Sequence, residues 1–192
     1  LMMVKYMNGI QQLAHGIKSV EVKKIESEII KMNVAEHKFY KTELLSLIDE
    51  MPNNPFQWVS KSDWDLPKSF ARKYLDLFYK KVIRTSMKKL QDYYKADDWN
   101  ISNGWFQQYE KDSYHQWHNH EGANFTNVYF LELPDSKFKT KIKVGDEIVE
   151  YEAEEGDLIS FPAYLLHTSE KNGDGRKTVI AFNSNFKYID KL

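Results

Sequence analysis

Four histidines carry most of the chemistry this sequence can offer. His115, His118 and His120 fall in the stretch YHQWHNHEG, and His167 stands apart in LISFPAYLLHTSEKNGDGRK; the chain has six histidines in all. Imidazole is the commonest protein ligand for transition metals. On an extended segment residues i and i+2 face the same side, so His118-x-His120 aims two ring nitrogens at one point. A third ligand from a distant strand, His167, closes a facial triad and leaves coordination positions open. Cysteine is absent, which excludes thiolate zinc sites, disulfides and cysteine nucleophiles. Any metal must therefore be held by imidazole, carboxylate or carbonyl groups, and the pattern points to a single iron where the two blocks meet.

Two further residues suit an anion beside that metal. Arg176 follows His167 by nine positions and leads into an apolar strand. A guanidinium buried in an aromatic-lined pocket needs an anion, and its planar fork matches a carboxylate. Tyr109, nine positions before His118, offers a hydroxyl from the same wall. Together the triad, the arginine and the tyrosine describe a site for a chelating dicarboxylate next to iron. His115 is a spare ligand better suited to supporting the metal residues or contacting substrate, and Glu121 is a weaker carboxylate alternative to His120. Trp105, Trp117, Tyr129 and Asn183 are candidates for the pocket wall, with core packing as the competing role for the aromatic ones.

The elements that must position these residues read as helices first and strands afterwards. Residues 1–20 are weakly patterned, and Ser19 to Val34 suits a strand or a short helix equally. His37 to Glu50 has helical spacing and is stopped by the Pro52 and Pro55 region. A longer helix is expected from Leu66-Pro67 to near Tyr94, with Lys80, Lys81, Lys88 and Lys89 on its solvated face. From Trp99 the composition turns aromatic and β-branched. Strands are expected over Trp99 to Tyr109 (interrupted at Asn103-Gly104), Asn124 to Leu133, Asp157 to Phe161 and Thr178 to Phe186, with a hairpin about Gly145-Asp146. This is a mainly β chain with N-terminal helices, a helix-buttressed sandwich or barrel. One domain over 1–192 is expected, with residues 1–97 as its helical part and 98–188 as the core that carries the metal site.

Composition narrows the partners. With 27 basic and 28 acidic residues the formal charge is −1. That balance argues against a dedicated nucleic-acid binder or a binder of anionic membranes. No run approaches the roughly 18 apolar residues that a membrane span needs, and no signal peptide is evident, so a cytoplasmic location is expected. His15 and His37 lie in the helical part and are expected to be dispensable for the metal.

The strings YHQWHNHEGANFTNVYFLELPD and GDLISFPAYLLHTSEKNGDGRKTVIAFN resemble the Fe(II)- and 2-oxoglutarate-dependent oxygenases, in particular the bacterial and phage members of the prolyl-hydroxylase-like branch. The resemblance covers about Trp99 to Phe186 and implies a double-stranded β-helix, or jelly roll. In that family the metal motif is His-x-Asp/Glu followed far downstream by His, which His118 and His167 match. The cosubstrate arginine stands nine or ten residues past the distal histidine, where Arg176 falls, and the tyrosine that bonds the cosubstrate matches Tyr109. The chain departs at position 120, where His replaces the carboxylate and leaves the metal with one more net positive charge. The activity implied is oxidative decarboxylation of 2-oxoglutarate coupled to hydroxylation by O2 of a peptide, protein or small metabolite. Two other readings stand beside it: a three-histidine cupin-type dioxygenase that needs no 2-oxo acid, and an inactive jelly roll serving as a binding module.

Overall fold

The structure, a computed structural model, describes residues 27–150 and 152–189. The readings for residues 1–26, His15 among them, lie outside the described residues. The first half is not purely helical. It contributes strand β1 (Ile30–Asn33), helix α1 (His37–Asp49), strand β2 (Lys61–Ser62), the short helix α2 (Lys73–Leu77), a π-helical turn over Phe78–Val82, and helix α3 (Arg84–Tyr94). The ambiguous segment up to Val34 thus ends in a strand. Its side chains alternate in exposure, as they must when one face of an edge strand meets a core.

The single helix expected from Leu66 to Tyr94 is instead three pieces beginning at Lys73. Arg72 is the reason for the late start. Its guanidinium donates to the carbonyls of Asp63, Leu66, Pro67 and Phe70 and pairs with the buried Asp63 carboxylate at 2.7 Å. These carbonyls turn to the guanidinium, and those of Asp63 and Pro67 also take the N–H groups of Leu66 and Phe70, three residues on, in turns rather than in the four-residue step of an α-helix. Further on, Ile83 N–H reaches back to Phe78 O at 3.0 Å, a five-residue step that inserts the π turn before α3 resumes. The four lysines on this segment are exposed.

Eight strands follow: β3 (Asp98–Tyr109), β4 (His115–His118), β5 (Phe125–Glu132), β6 (Thr140–Val144), β7 (Glu147–Glu150), β8 (Asp157–Pro162), β9 (His167–Ser169) and β10 (Lys177–Lys187). Apart from the β6–β7 hairpin, successive strands fall in opposite members of two antiparallel sheets. The larger has the order β1-β8-β5-β10-β3-β2 and the smaller β4-β9-β6-β7. The last strand lies beside the first of the eight, and the chain crosses from sheet to sheet in between, which is a jelly roll. β3 runs unbroken through Asn103-Gly104. The interruption expected there is a β-bulge, with Ser102 unpaired between the Asn183–Asn103 and Ser184–Ile101 pairs. The hairpin β6–β7 turns at Gly145, whose φ of +62° suits glycine, and Lys141 pairs with Glu150 across it at 2.7 Å.

Strand parity sorts the large sheet into two faces. Phe106, Tyr129, Leu131, Ile180 and Phe182 pack against Leu44, Ile48, Tyr74, Phe78, Met87 and Leu90 of the helices. Tyr109, Val128, Phe130 and Val179 turn the other way, into the space between the sheets. Among the described residues no helix is long and apolar enough to cross a membrane.

Candidate metal centre

His118 and His167 are direct partners across the β4–β9 ladder, so the small sheet itself brings them together. Their ring centroids are 4.1 Å apart. His120 lies two residues past β4, and its backbone N–H is tied to Ala163 O at 2.9 Å. Its ring stacks on Trp105 at 5.4 Å and lies 5.0 Å from that of His167. One ligand nitrogen from each of the three imidazoles lies within 4.8 Å of the other two.

Hydrogen bonding fixes which nitrogens face inward. His118 Nδ1 is 2.8 Å from Gln116 O, and His167 Nδ1 is 3.2 Å from Leu165 O. A carbonyl only accepts, so each Nδ1 carries the proton and each Nε2 keeps its lone pair. His120 Nε2 is fully buried and makes no hydrogen bond among the described residues. An orphaned buried ring nitrogen beside two unprotonated ones is what a metal ion would satisfy, and the donor set fits iron. Burial keeps the rings neutral. Desolvation, followed by the charge of neighbouring histidines, lowers His115 and His120 to about 4 and His167 to about 2.

His115 comes close for a local reason. Between the pairs His115–Ser169 and His118–His167, two residues of β4 oppose the single Thr168. This bulge lets residues three apart face the same cavity, and His115 Nδ1 sits 2.9 Å from His118 Nδ1. His115 thus touches a triad member without being in the triad. Glu121 is exposed and likewise outside it.

The imidazoles close one end of a narrow cavity between the sheets. Its other walls are Trp105, Gln107 and Tyr109 of β3, Thr126 and Val128 of β5, Lys177, Val179 and Ala181 of β10, with Thr140 and Ser169 from the small sheet. The basic residue here is Lys177, and the placement expected of Arg176 is corrected accordingly. Side chains alternate across β10, so residues 177, 179 and 181 share the cavity face and Arg176 points to the opposite one. There Arg176 forms a two-bond pair with Glu132, at 2.9 and 3.1 Å, and reaches Asp49 at the end of α1, at 3.0 Å. Both carboxylates satisfy it, which leaves it no part in the cavity.

Lys177 has the contrary surroundings. It is 1% exposed, donates to Phe138 O at 2.8 Å and to Ser169 Oγ, and lies over the Tyr109 ring at 4.2 Å. No carboxylate pairs with it among the described residues, and burial lowers its amine to about 7. Tyr109 lines the same cavity as expected; its hydroxyl donates to Gln107 Oε1 at 2.8 Å, and burial pushes the phenol up. Tyr129 is a further correction. It faces the helices, where its hydroxyl meets His37 Nδ1 at 2.6 Å, and it takes no part in the pocket. Asn183, on the cavity face of β10, bonds Thr126 and lies against His120. The sequence reading passed over Lys177, Ser169 and Thr140. Only Lys177 left a signal, as the first odd-numbered residue of the strand that carries Val179, Ala181 and Asn183.

Outside the triad the cavity opens into a cleft of about 420 Å³, whose walls include Phe56, Trp64, Trp105, Trp117 and Asn183. Trp117 is 43% exposed there.

No protein-family profile matches the sequence, and no curated protein matches it. Solved structures do match its fold. An oxidoreductase of the 2OG-Fe(II) oxygenase family from Burkholderia pseudomallei aligns with 81% of this chain and 83% of its own, at 12% identity and a TM-score of 0.66. The viral collagen prolyl hydroxylase of Paramecium Bursaria Chlorella virus-1, in complex with 2OG, aligns over 84% and 96% at 13% identity and 0.56. HygX from Streptomyces hygroscopicus, with nickel and 2-oxoglutarate bound, aligns over 82% of each chain at 14% identity and 0.55. The jelly-roll fold expected from the sequence is therefore the fold of 2-oxoglutarate oxygenases.

Proposed function

We propose that this chain is an Fe(II)- and 2-oxoglutarate-dependent oxygenase that hydroxylates an organic substrate with O2. One observation carries the reading: a buried lysine with no acidic partner among the described residues faces the same narrow cavity as three neutral imidazoles. A lone cation out of water is costly unless an anion joins it. A dicarboxylate that reaches from the imidazoles to Lys177 supplies that anion.

His118, His120 and His167 would hold the iron. The bound metal supplies chelation of the 2-oxo acid group and activation of O2. The rest falls to the chain's own residues. Lys177 Nζ binds the far carboxylate as an ammonium, and Ser169 and Tyr109 complete the polar end. Val128, Val179 and Ala181 keep water from the channel between the two ends. His115 holds the protonated Nδ1 of His118 in place, so that Nε2 stays turned to the metal. The outer cleft receives the substrate to be hydroxylated. A reducing intracellular compartment, the cytoplasm, suits ferrous iron and is the location we propose.

The test is oxygen-dependent conversion of 2-oxoglutarate to succinate by the iron-loaded protein. Wild type should give succinate and His167→Ala none. Iron held tightly while 2-oxoglutarate is neither bound nor consumed would instead support a three-histidine oxygenase that needs no 2-oxo acid. The observation in favour of that second reading is His120 in the carboxylate's place.

A further inference from the structure

The composition of the outer cleft limits what can occupy it. Its lining consists of four aromatic rings, six amide side chains, three histidines and Glu121. Among the described residues its lining has no aliphatic side chain, lysine or arginine. We propose that this cleft binds a sugar ring without phosphate or sulfate groups, stacked on Trp64 and held through its hydroxyls by Gln57, Gln116 and Asn119, and that this sugar is the substrate presented to the metal. The inference rests on the oxygenase reading above.

The lining disfavours two classes of competitor. With no lysine or arginine among the described lining residues, phosphates, sulfates and nucleotides find no permanent counter-charge there. A wall without aliphatic side chains is a poor seat for an acyl chain or a branched hydrocarbon. A pyranose needs both kinds of surface that are present. Its C–H face packs on an aromatic ring, and its equatorial hydroxyls pair with groups that donate and accept at once, as amides do.

The rings are held ready for this. Trp64 is 43% exposed, yet Trp105 braces it edge-on at 4.5 Å and 77°, and Phe56 flanks it at 6.2 Å. The β4 bulge opposite Thr168 brings Gln116 and Trp117 to the rim together. Gln57 sits at φ +51°, a conformation unusual for a residue with a Cβ, kept by the Phe56–Val59 bridge. Tyr109 and Thr126 already engage Gln107 and Asn183, whereas the amides of Gln57, Gln116 and Asn119 make no hydrogen bond among the described residues. In the reaction one oxygen atom of O2 enters a sugar C–H bond as hydroxyl. The other ends in the succinate carboxylate as 2-oxoglutarate loses CO2.

A proline-rich peptide also stacks on exposed aromatic rings, and the experiment separates the two. The full chain, loaded with Ni(II) and 2-oxoglutarate under nitrogen, is applied to an array carrying glycans and proline-rich peptides. Binding should fall on uncharged glycans. In solution the strongest glycan should bind Trp64→Ala about tenfold more weakly and Trp64→Phe nearly as well as wild type. Capture of peptides instead, of sulfated or sialylated glycans only, or of no glycan would overturn the proposal, as would unchanged affinity in Trp64→Ala. Calorimetric binding of 2-oxoglutarate to the same preparation keeps the two claims apart. Cosubstrate binding without glycan binding sinks the substrate class alone, and loss of cosubstrate binding sinks the oxygenase reading beneath it.

Discussion

Lys177 and Arg176 are adjacent cations with opposite surroundings, and their variants should behave in opposite ways. Lys177→Met removes the ammonium that would hold the cosubstrate, so the KM for 2-oxoglutarate should rise at least ~10-fold with iron content unchanged. The same change removes a buried cation that no carboxylate pairs among the described residues and should stabilise the metal-free protein by about 0.5–2 kcal/mol. Arg176→Met should leave KM alone and cost about 1 kcal/mol, because Glu132 and Asp49 lose their partner. Steady-state kinetics and thermal melts on both variants check the pair. A normal KM in Lys177→Met would move the anion site elsewhere. The sequence made the two hard to separate. Counting residues past His167 reaches both, and only the phase of β10 against its neighbours puts 177 inside.

Position 120 carries a second prediction. His120→Asp should keep iron bound, and His120→Ala should lower the iron content measured after desalting, though less than His118→Ala does. Full occupancy in His120→Ala together with loss in His115→Ala would show that the wrong histidine has been chosen. The grouping of His118, His120 and His167 was legible from residue type, spacing and the resemblance. The proximity of His115 was not, because it depends on a bulge that breaks the two-residue period.

At the scale of elements, the fit between the π turn and β3 is exacting. A Cβ on Gly104 would overlap the Tyr79 hydroxyl and press on Phe182. Gly104→Ala should therefore destabilise by about 1–3 kcal/mol, the usual cost of overpacking. Adding Tyr79→Phe should recover part of that loss, since it removes the clashing oxygen. Two single losses that simply add would show that the helices do not press on the sheet there. Strands β3, β5, β8 and β10 and the β6–β7 hairpin were readable from composition and alternation, with ends displaced by a residue or two, whereas β4 and β9, which carry His118 and His167, are four and three residues long and too short to show a pattern. The helix from Leu66 was not, because what delays it is a side chain, Arg72, gathering four carbonyls that a pattern of apolar residues does not reveal.

For the whole molecule, the buried bases set the response to pH. His115 and His120 are held to about 4 in the fold, chiefly by burial, against an ordinary value near 6.5. Between those values the unfolded chain binds protons that the folded chain does not, so the stability they contribute is complete above about 6.5 and is lost as pH falls toward about 4. Lys177 acts in the same sense on the alkaline side. Its amine is held at about 7 against 10.5, so stability should rise with pH across that interval. Melts of metal-free protein from pH 5 to 9 should show both slopes, and Lys177→Met should flatten the alkaline one alone. An unchanged alkaline slope in that variant would assign the titration to another group.

The central claim is that the imidazoles and Lys177 form the two ends of one dicarboxylate site. Its most direct test is a titration of 2-oxoglutarate into the iron(II)-loaded protein under nitrogen, followed by visible absorption. A saturable charge-transfer band should appear as the 2-oxo acid chelates the iron, and Lys177→Met should shift its midpoint at least ~10-fold higher without changing its limiting intensity. Absence of the band from fully iron-loaded wild type, or an identical midpoint in Lys177→Met, would contradict the account.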